Sequence, residues 1–277
     1  MAGPNRNLKV LTVNAHRIGR REKVLELFEA IKTYEPNVVF IQEIAINMAL
    51  KVFGPHFQVF INIETPSNDG VGIVTLIDKQ IKVIDHKIGE EGRTIGVKTR
   101  EVQFWNVYPK SGTNNKNWRE TYIREILTNH MIVWKDQTRY VIQGGDHNCT
   151  IREIDSENNP GQHYQKAMVN HFKVHDLKDE YIRLHGDERP VSYSRITRNS
   201  KTRIDFIASN CDKCLEFSYN DMGQGYDHKL GYAGMIWIFY RVQTTFLITE
   251  GTRAGHFQRN FSQIQYLGKM RKSSVRG

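Results

Sequence analysis

Apolar runs in this chain end, one after another, in a side chain that binds a hard cation or moves a proton. VLTVN closes on Asn14, VVFIQE on Glu43, FWNVY on Tyr108, and VIQGGDHN on Asp146 and Asn148; RIDF carries Asp205, and YDHK follows with Asp227 and His228. Short apolar runs of this kind read as strands. If the strands share sheets, their ends converge on one rim and the polar groups meet there. Taken singly, each group has an ordinary structural reading: Asn14 as a turn former, Glu43 as a helix-start acid, Asp205 as a satisfied buried group, His228 as a surface histidine, and Gly-Gly-Asp-x-Asn as a loop. Their order and their placement at strand ends carry the weight.

The rest of the chain supplies layers. Residues 8–13 read as a strand and 21–34 as a helix, with Val24, Leu27, Phe28 and Ile31 on one apolar face. Residues 37–41 do not alternate, so they form a strand buried on both sides. Several β-like runs follow between Phe57 and Tyr108, among them 71–77, 94–97 and 102–108. A long helix over 116–135 presents Ile123, Leu127, Met131 and Trp134 as a stripe. Residues 140–143 form a strand that Gly144-Gly145 closes with a permissive turn. Residues 156–162 are a loop, helical pieces cover 165–172 and 177–184, and the last strands are 203–208 and 232–239. Clustered strands with helices between them predict a layered α/β or α+β fold.

At 277 residues and 39% hydrophobic the chain can bury a full core. Its net charge of +9 points to an acidic partner such as nucleic acid, but residues 241–277 hold seven basic side chains against one acid, Glu250, and so account for most of the excess. Three cysteines, Cys149, Cys211 and Cys214, make no disulfide framework, and one CxxC without a second pair falls short of a closed zinc site. The apolar stretch 234–248 is interrupted by Arg241 and is too short to cross a bilayer, and the first residues, MAGPNRN, lack an apolar secretory core. An intracellular, nuclear protein with no membrane and no small-molecule cofactor is expected.

Asn14, Gln42-Glu43, Asn106-Val107-Tyr108, Gly144-Gly145-Asp146-His147-Asn148, Arg203-Ile204-Asp205 and Asp227-His228 resemble the motif series of the endonuclease/exonuclease/phosphatase superfamily. The resemblance implies an α/β fold, a two-sheet β-sandwich flanked by helices: a four-layer, deoxyribonuclease-like sandwich with its site at one edge. It implies a catalytic domain over 7–240, followed by a basic C-terminal extension or linker over 241–277. Within the superfamily, the run 92–108 and GGDHNCT look most like the endonuclease domain of LINE-type (non-LTR) retrotransposons.

Hydrolysing a phosphodiester requires cations to absorb charge on the phosphoryl oxygens, an oriented water and help for the leaving oxygen. Glu43 is the anionic oxygen ligand for Mg²⁺, or Mn²⁺ in its place, and Asn14 adds a neutral oxygen. Asp146 accepts a proton from the attacking water, and Asn148 orients that water or the phosphate. The resemblance further implies that His228 stands beside the phosphate with Asp205 fixing its tautomer, that Tyr108 donates to a phosphate oxygen, and that Asp227 is an additional metal-side or histidine-side carboxylate. Departures are His16, where the family has Asp or Asn, Tyr226 in place of Ser, and, more mildly, His147. The leading expectation is a DNA-nicking endonuclease of a retroelement that leaves a 3′-hydroxyl for target-primed reverse transcription, as part of a longer reverse-transcriptase polyprotein. The alternatives are an abasic-site repair endonuclease, a phosphatase of the same fold and a catalytically impaired DNA-binding module. Arg119, Arg195, Arg198 and Lys201 are candidate contacts to the DNA backbone, with a solvated charge as the competing reading.

Overall fold

A computed structural model describes residues 6–63, 71–89, 92–134, 137–157, 163–190, 192–211, 213–222 and 226–237. The expected basic extension over 241–277 lies outside them. The first half of the chain runs β1 (Arg6–Ile18), α1 (Arg21–Lys32), β2 (Val38–Ala45), α2 (Ile46–Phe53), β3 (Phe57–Ile63), β4 (Val71–Asp78), β5 (Asp85–Ile88), β6 (Thr94–Lys98) and β7 (Val102–Val107). There follow α3 (Lys116–Thr121), a π turn (Tyr122–Leu127), α4 (Thr128–Ile132), β8 (Tyr140–Asp146), α5 (Lys166–His175), β9 (Lys178–Asp179) and α6 (Glu180–His185). The described chain closes with β10 (Arg195–Ile196), β11 (Lys201–Thr202), β12 (Asp205–Ser209), β13 (Cys214–Asn220) and β14 (Leu230–Trp237).

These strands form two six-stranded sheets, ordered β13-β14-β1-β2-β4-β3 and β5-β6-β7-β8-β12-β9, beside a small β10-β11 ribbon. Three apolar clusters show how the layers stack. Val10, Phe40, Phe104, Ile142 and Ile207 fill the space between the sheets. Leu27 and Ile31 of α1 and Phe53 of α2 pack on the outer face of the first sheet, and Ile123, Leu127, Met131 and Phe172 on that of the second. Both sheets are therefore buried on both faces at their centres, which is why β2 reads as a continuous apolar run rather than an alternation.

Each sheet has a parallel pair at its centre, β1 with β2 and β7 with β8, each crossing over through a helical connection. Parallel strands end on the same side, so Asn14, Glu43, Tyr108 and Asp146 are delivered to one edge of the sandwich. The antiparallel neighbours β12 and β14 begin there: Asp205 pairs in register with Asp146, and Gly231 with Thr12.

The structure corrects one local expectation. Gly144 and Gly145 do not close the strand; they are part of β8. A Cβ on Gly144 would lie 2.5 Å from the Phe40 ring of the opposite sheet, and one on Gly145, whose φ is 146°, would lie 2.0 Å from the Val107 carbonyl oxygen. Glycine here serves close packing, and it sets the position of Asp146. The long helix expected over 116–135 is present as one continuous helical run from Lys116 to Ile132, with a π turn at Tyr122–Leu127 between α3 and α4, and Trp118 stacks on Tyr122 at 4.9 Å. Among the described residues, no helix is long and apolar enough to cross a membrane.

Candidate active site at the sandwich edge

Three side-chain contacts bridge the sheets at this edge. Buried Gln42 of β2 donates through Nε2 to Asn106 Oδ1 of β7 at 2.8 Å. Tyr108, one residue beyond β7, donates its hydroxyl to Glu43 Oε1. Asn14 on β1 donates through Nδ2 to Asp146 Oδ2 at 2.9 Å and to Glu43 Oε1 at 3.3 Å, and so ties two carboxylates of different sheets together. Its own Oδ1 accepts from the His16 backbone N–H at 2.9 Å. In this arrangement Tyr108 and Asn14 position Glu43, and the Tyr108 hydroxyl, expected to face a phosphate, is turned to that carboxylate. Arg93, itself buried, lies over the Tyr108 ring at 5.2 Å, a partner that residue spacing does not announce. Burial first, then the Asp146 and Glu43 carboxylates, raise the Tyr108 phenol above its ordinary range.

Asp146 accepts from the backbone N–H of Asn148 at 2.9 Å, which is possible because Asn148 adopts φ 49°, and Asn148 Nδ2 is anchored on the Pro109 carbonyl at 2.9 Å. Burial, followed by the facing Asp205 carboxylate, raises the Asp146 pKa to about 7. Asp205 is fully buried and meets His228 Nδ1 with both oxygens, at 2.9 and 3.0 Å. That contact assigns the Nδ1 proton and leaves Nε2 to face the site. Burial pushes the His228 imidazolium down, but Asp205, Asp146 and Asp227 outweigh it and raise the pKa to about 9. Asp205 is held by its own backbone, its N–H donating to Ser194 Oγ and its carbonyl accepting from the Tyr219 hydroxyl at 2.6 Å.

Asp227, expected as a metal-side or histidine-side carboxylate, lies beside His228. Its carboxylate pairs with Arg195 Nε at 3.0 Å and His16 Nδ1 at 3.4 Å, and lies 3.9 Å from His228 Nε2. Burial would raise its pKa, yet these three cationic neighbours hold it below the usual range. Arg195 reaches it because residue 195 bridges His228 in strand fashion and the Ile196 N–H donates to the Asp227 carbonyl. No local sequence signal marks that pairing. Of the other candidate DNA contacts, Arg119 is buried and spends its guanidinium on the Lys110 and Gly112 carbonyls, and Lys201 pairs with Glu157. Tyr226, which stands where the motif series has Ser, has Lys23 and Glu26 of α1 as its charged neighbours. His147 stacks on Phe206 with centroids 3.6 Å apart, and burial holds it neutral by lowering its pKa to about 3. The cysteines are free and buried.

The donor set suits a hard cation. Asp146, Asp205 and His228 bring ligand atoms within 4.8 Å of one another, although the proton shared between Asp205 and His228 already links two of them. Glu43 is different: Oε1 is held by Tyr108 and Asn14, while Oε2 lies at the solvent edge on a side chain 19% exposed. An oxygen donor that leaves room for retained waters is what Mg²⁺ and Mn²⁺ prefer.

No family model matches the chain, and no curated protein matches it in sequence. Solved structures do. An AP endonuclease from Archaeoglobus fulgidus superposes with a TM-score of 0.65 at 16% identity, over 82% of this chain and 99% of that one. A 3'-5' exonuclease (NExo) from Neisseria meningitidis gives 0.68 at 15% identity, over 83% and 100%. TDP2 from Caenorhabditis elegans gives 0.62 at 14% identity, over 83% and 98%. The two six-stranded mixed sheets with helices outside are the deoxyribonuclease-like endonuclease/exonuclease/phosphatase fold, the fold class expected from the motif series.

Proposed function

We propose that this chain is a divalent-metal-dependent phosphodiester hydrolase that nicks DNA, with residues 7–240 as the catalytic domain and a nuclear site of action. The observation that carries the reading is the meeting, at one edge, of a buried Asp205–His228 pair, a carboxylate with its pKa raised to about 7 and a solvent-edge glutamate. Glu43 would hold the cation, with Asn14 tying its carboxylate to Asp146. When bound, Mg²⁺ or Mn²⁺ supplies positive charge against the phosphoryl oxygens. Asp146 takes the proton of the attacking water, and Asn148 holds Asp146 in place through its N–H. His228, charged at neutral pH and oriented through Nδ1, gives a hydrogen bond from Nε2 to the phosphoryl oxygen.

The finer reading is the endonuclease of a non-LTR retrotransposon, which leaves a 3′-hydroxyl for reverse transcription within a longer polyprotein; its support is the likeness of GGDHNCT and of residues 92–108. A second reading, cleavage at abasic sites, draws on the likeness to solved structures named AP endonucleases. One assay addresses both. Supercoiled plasmid, an abasic-site oligonucleotide and an inositol polyphosphate are each incubated with the protein in Mg²⁺ and in EDTA, beside Asp146→Ala and His228→Ala. Relaxed plasmid with a 3′-hydroxyl, lost in EDTA and in both variants, is the expected result. Cleavage confined to the abasic oligonucleotide selects the second reading. Relaxation that survives Asp146→Ala removes the assigned site.

A further inference from the structure

β1 and β2 pair in parallel through Asn14 and Gln42, and pairing resumes at Ile18 and Ile44, so Ala15, His16 and Arg17 stand against Glu43 alone. This bulge places three non-glycine residues in the left-handed region: His16 at φ 50°, Arg17 at 57° and Glu43 at 54°. The conformation is costly for any residue with a Cβ, and glycine would meet the backbone requirement at positions 16 and 17 without that cost. What histidine and arginine add is charge at two carboxylates. Arg17 Nε lies 3.6 Å from Glu43 Oε2, and His16 Nδ1 lies 3.4 Å from Asp227 Oδ1. Both side chains are largely exposed, at 77% and 62%. The Glu43 oxygen that faces solvent, the one left over by Tyr108 and Asn14, is therefore met by a cation of the chain itself.

We infer that Arg17 is an internal counter-cation of Glu43 that a divalent ion must displace, and that the displaced guanidinium contacts a substrate phosphate next to the scissile one. This rests on the reading of the site as metal-dependent. The contact to Glu43 is a single long one, made by a side chain still free to move, and an exposed pair of this kind shifts a binding equilibrium by up to about fivefold. Arg17 can therefore yield to a divalent ion at millimolar concentrations without blocking it. Once released, a planar guanidinium on a flexible stem matches the two oxygens of a phosphodiester. His16 stands in the same relation to Asp227, on the other flank of the bulge.

The test uses Arg17→Gly, which keeps the backbone conformation and relieves its strain, so folding is not at issue, and Arg17→Lys, which keeps the charge. Mn²⁺ affinity is measured by titration calorimetry without DNA. Duplex DNA affinity is measured with Mn²⁺ across a salt series, each substitution combined with Asp146→Ala to prevent turnover. Arg17→Gly is expected to bind Mn²⁺ about two- to fivefold more tightly than wild type. It is also expected to bind DNA more weakly, with the slope of log K against log salt reduced by about one. Arg17→Lys should stay near wild type in Mn²⁺ affinity and retain most of the salt slope. Equal or weaker Mn²⁺ affinity in Arg17→Gly overturns the competition, and an unchanged salt slope overturns the phosphate contact. A wild type that binds no Mn²⁺ at all overturns the metal-dependent reading instead.

Discussion

At His228 two opposing effects act on one imidazole. Burial favours the neutral ring, while Asp205, Asp146 and Asp227 favour the charged one, and the charges prevail to give a pKa of about 9. The consequence for stability has a definite sign. Below about pH 6.5, where the unfolded chain also carries a charged histidine, the stabilisation is fully present; it is lost as pH rises through 9. Measured in EDTA by denaturant unfolding, wild type should lose about 3 kcal/mol relative to His228→Gln between pH 6 and pH 10. Parallel stability profiles for the two proteins would show that the pairing with Asp205 does not charge the ring. The polar residues at this edge were legible in the sequence because each follows an apolar run and its chemistry is local to it. Arg17, Arg93 and Ser194 were not, nor was the pairing of Arg195 with Asp227: each acts through a partner brought near by strand register, as Arg195 is by its bridge to His228.

Elements whose burial has a simple period were legible too. The face of α1 formed by Val24, Leu27, Phe28 and Ile31 is the one the structure buries, and β2 is buried through Ile41. α2 and β13 escaped notice for physical reasons. INMALKVF is only 8 residues long, so its buried face of Ile46, Ala49 and Phe53 spans too few turns to establish a period, and β13 alternates only loosely while pairing with β14 through a bulge between Cys214 and Glu216. The glycines of β8 show how a residue type suggests the wrong element: a pair that permits a turn was needed instead for close approach between sheets. Gly144→Ala drives its methyl into Phe40, a buried ring with little room to yield. We expect a loss of about 1–3 kcal/mol in urea unfolding, within the range of overpacked cores. Because Asp146 follows two residues later, nicking should fall further than stability explains. A substitution that leaves the urea midpoint unchanged would mean that the strands can separate at this point without cost.

Across the whole molecule, the motif series predicted two sheets and one edge, but not which strands pair, because pairing depends on crossovers and registers that no local pattern encodes. One buried charge network shows how far apart in sequence the stabilising contacts lie. Arg203, fully buried just before β12, gives Nε and Nη2 to the two oxygens of Asp155 at 3.1 and 3.0 Å, and Nη1 to Asp179 at 2.6 Å. Asp179 in turn caps α6 by accepting from the Ile182 N–H, and Asp155 anchors the segment that follows the Asp146–Asn148 loop. The guanidinium thus holds three stretches of chain around the strand that carries Asp205. Removing it would leave buried Asp179 without its cation and Asp155 with Arg152 alone, at 2.8 Å, and deleting one partner of a buried pair costs about 3–5 kcal/mol. For a domain of this size that corresponds to a fall in melting temperature of roughly 6–20 °C for Arg203→Met. Arg203→Lys should fall by a comparable amount, since a single ammonium cannot serve Asp155 with two parallel bonds while also reaching Asp179. Replacing Asp155 and Asp179 by Asn in the Arg203→Met background should recover part of the loss, because neutral amides are far cheaper to bury than unpaired carboxylates. Differential scanning calorimetry on the four proteins decides it: additive losses without recovery would mean that the three charges do not act as one network.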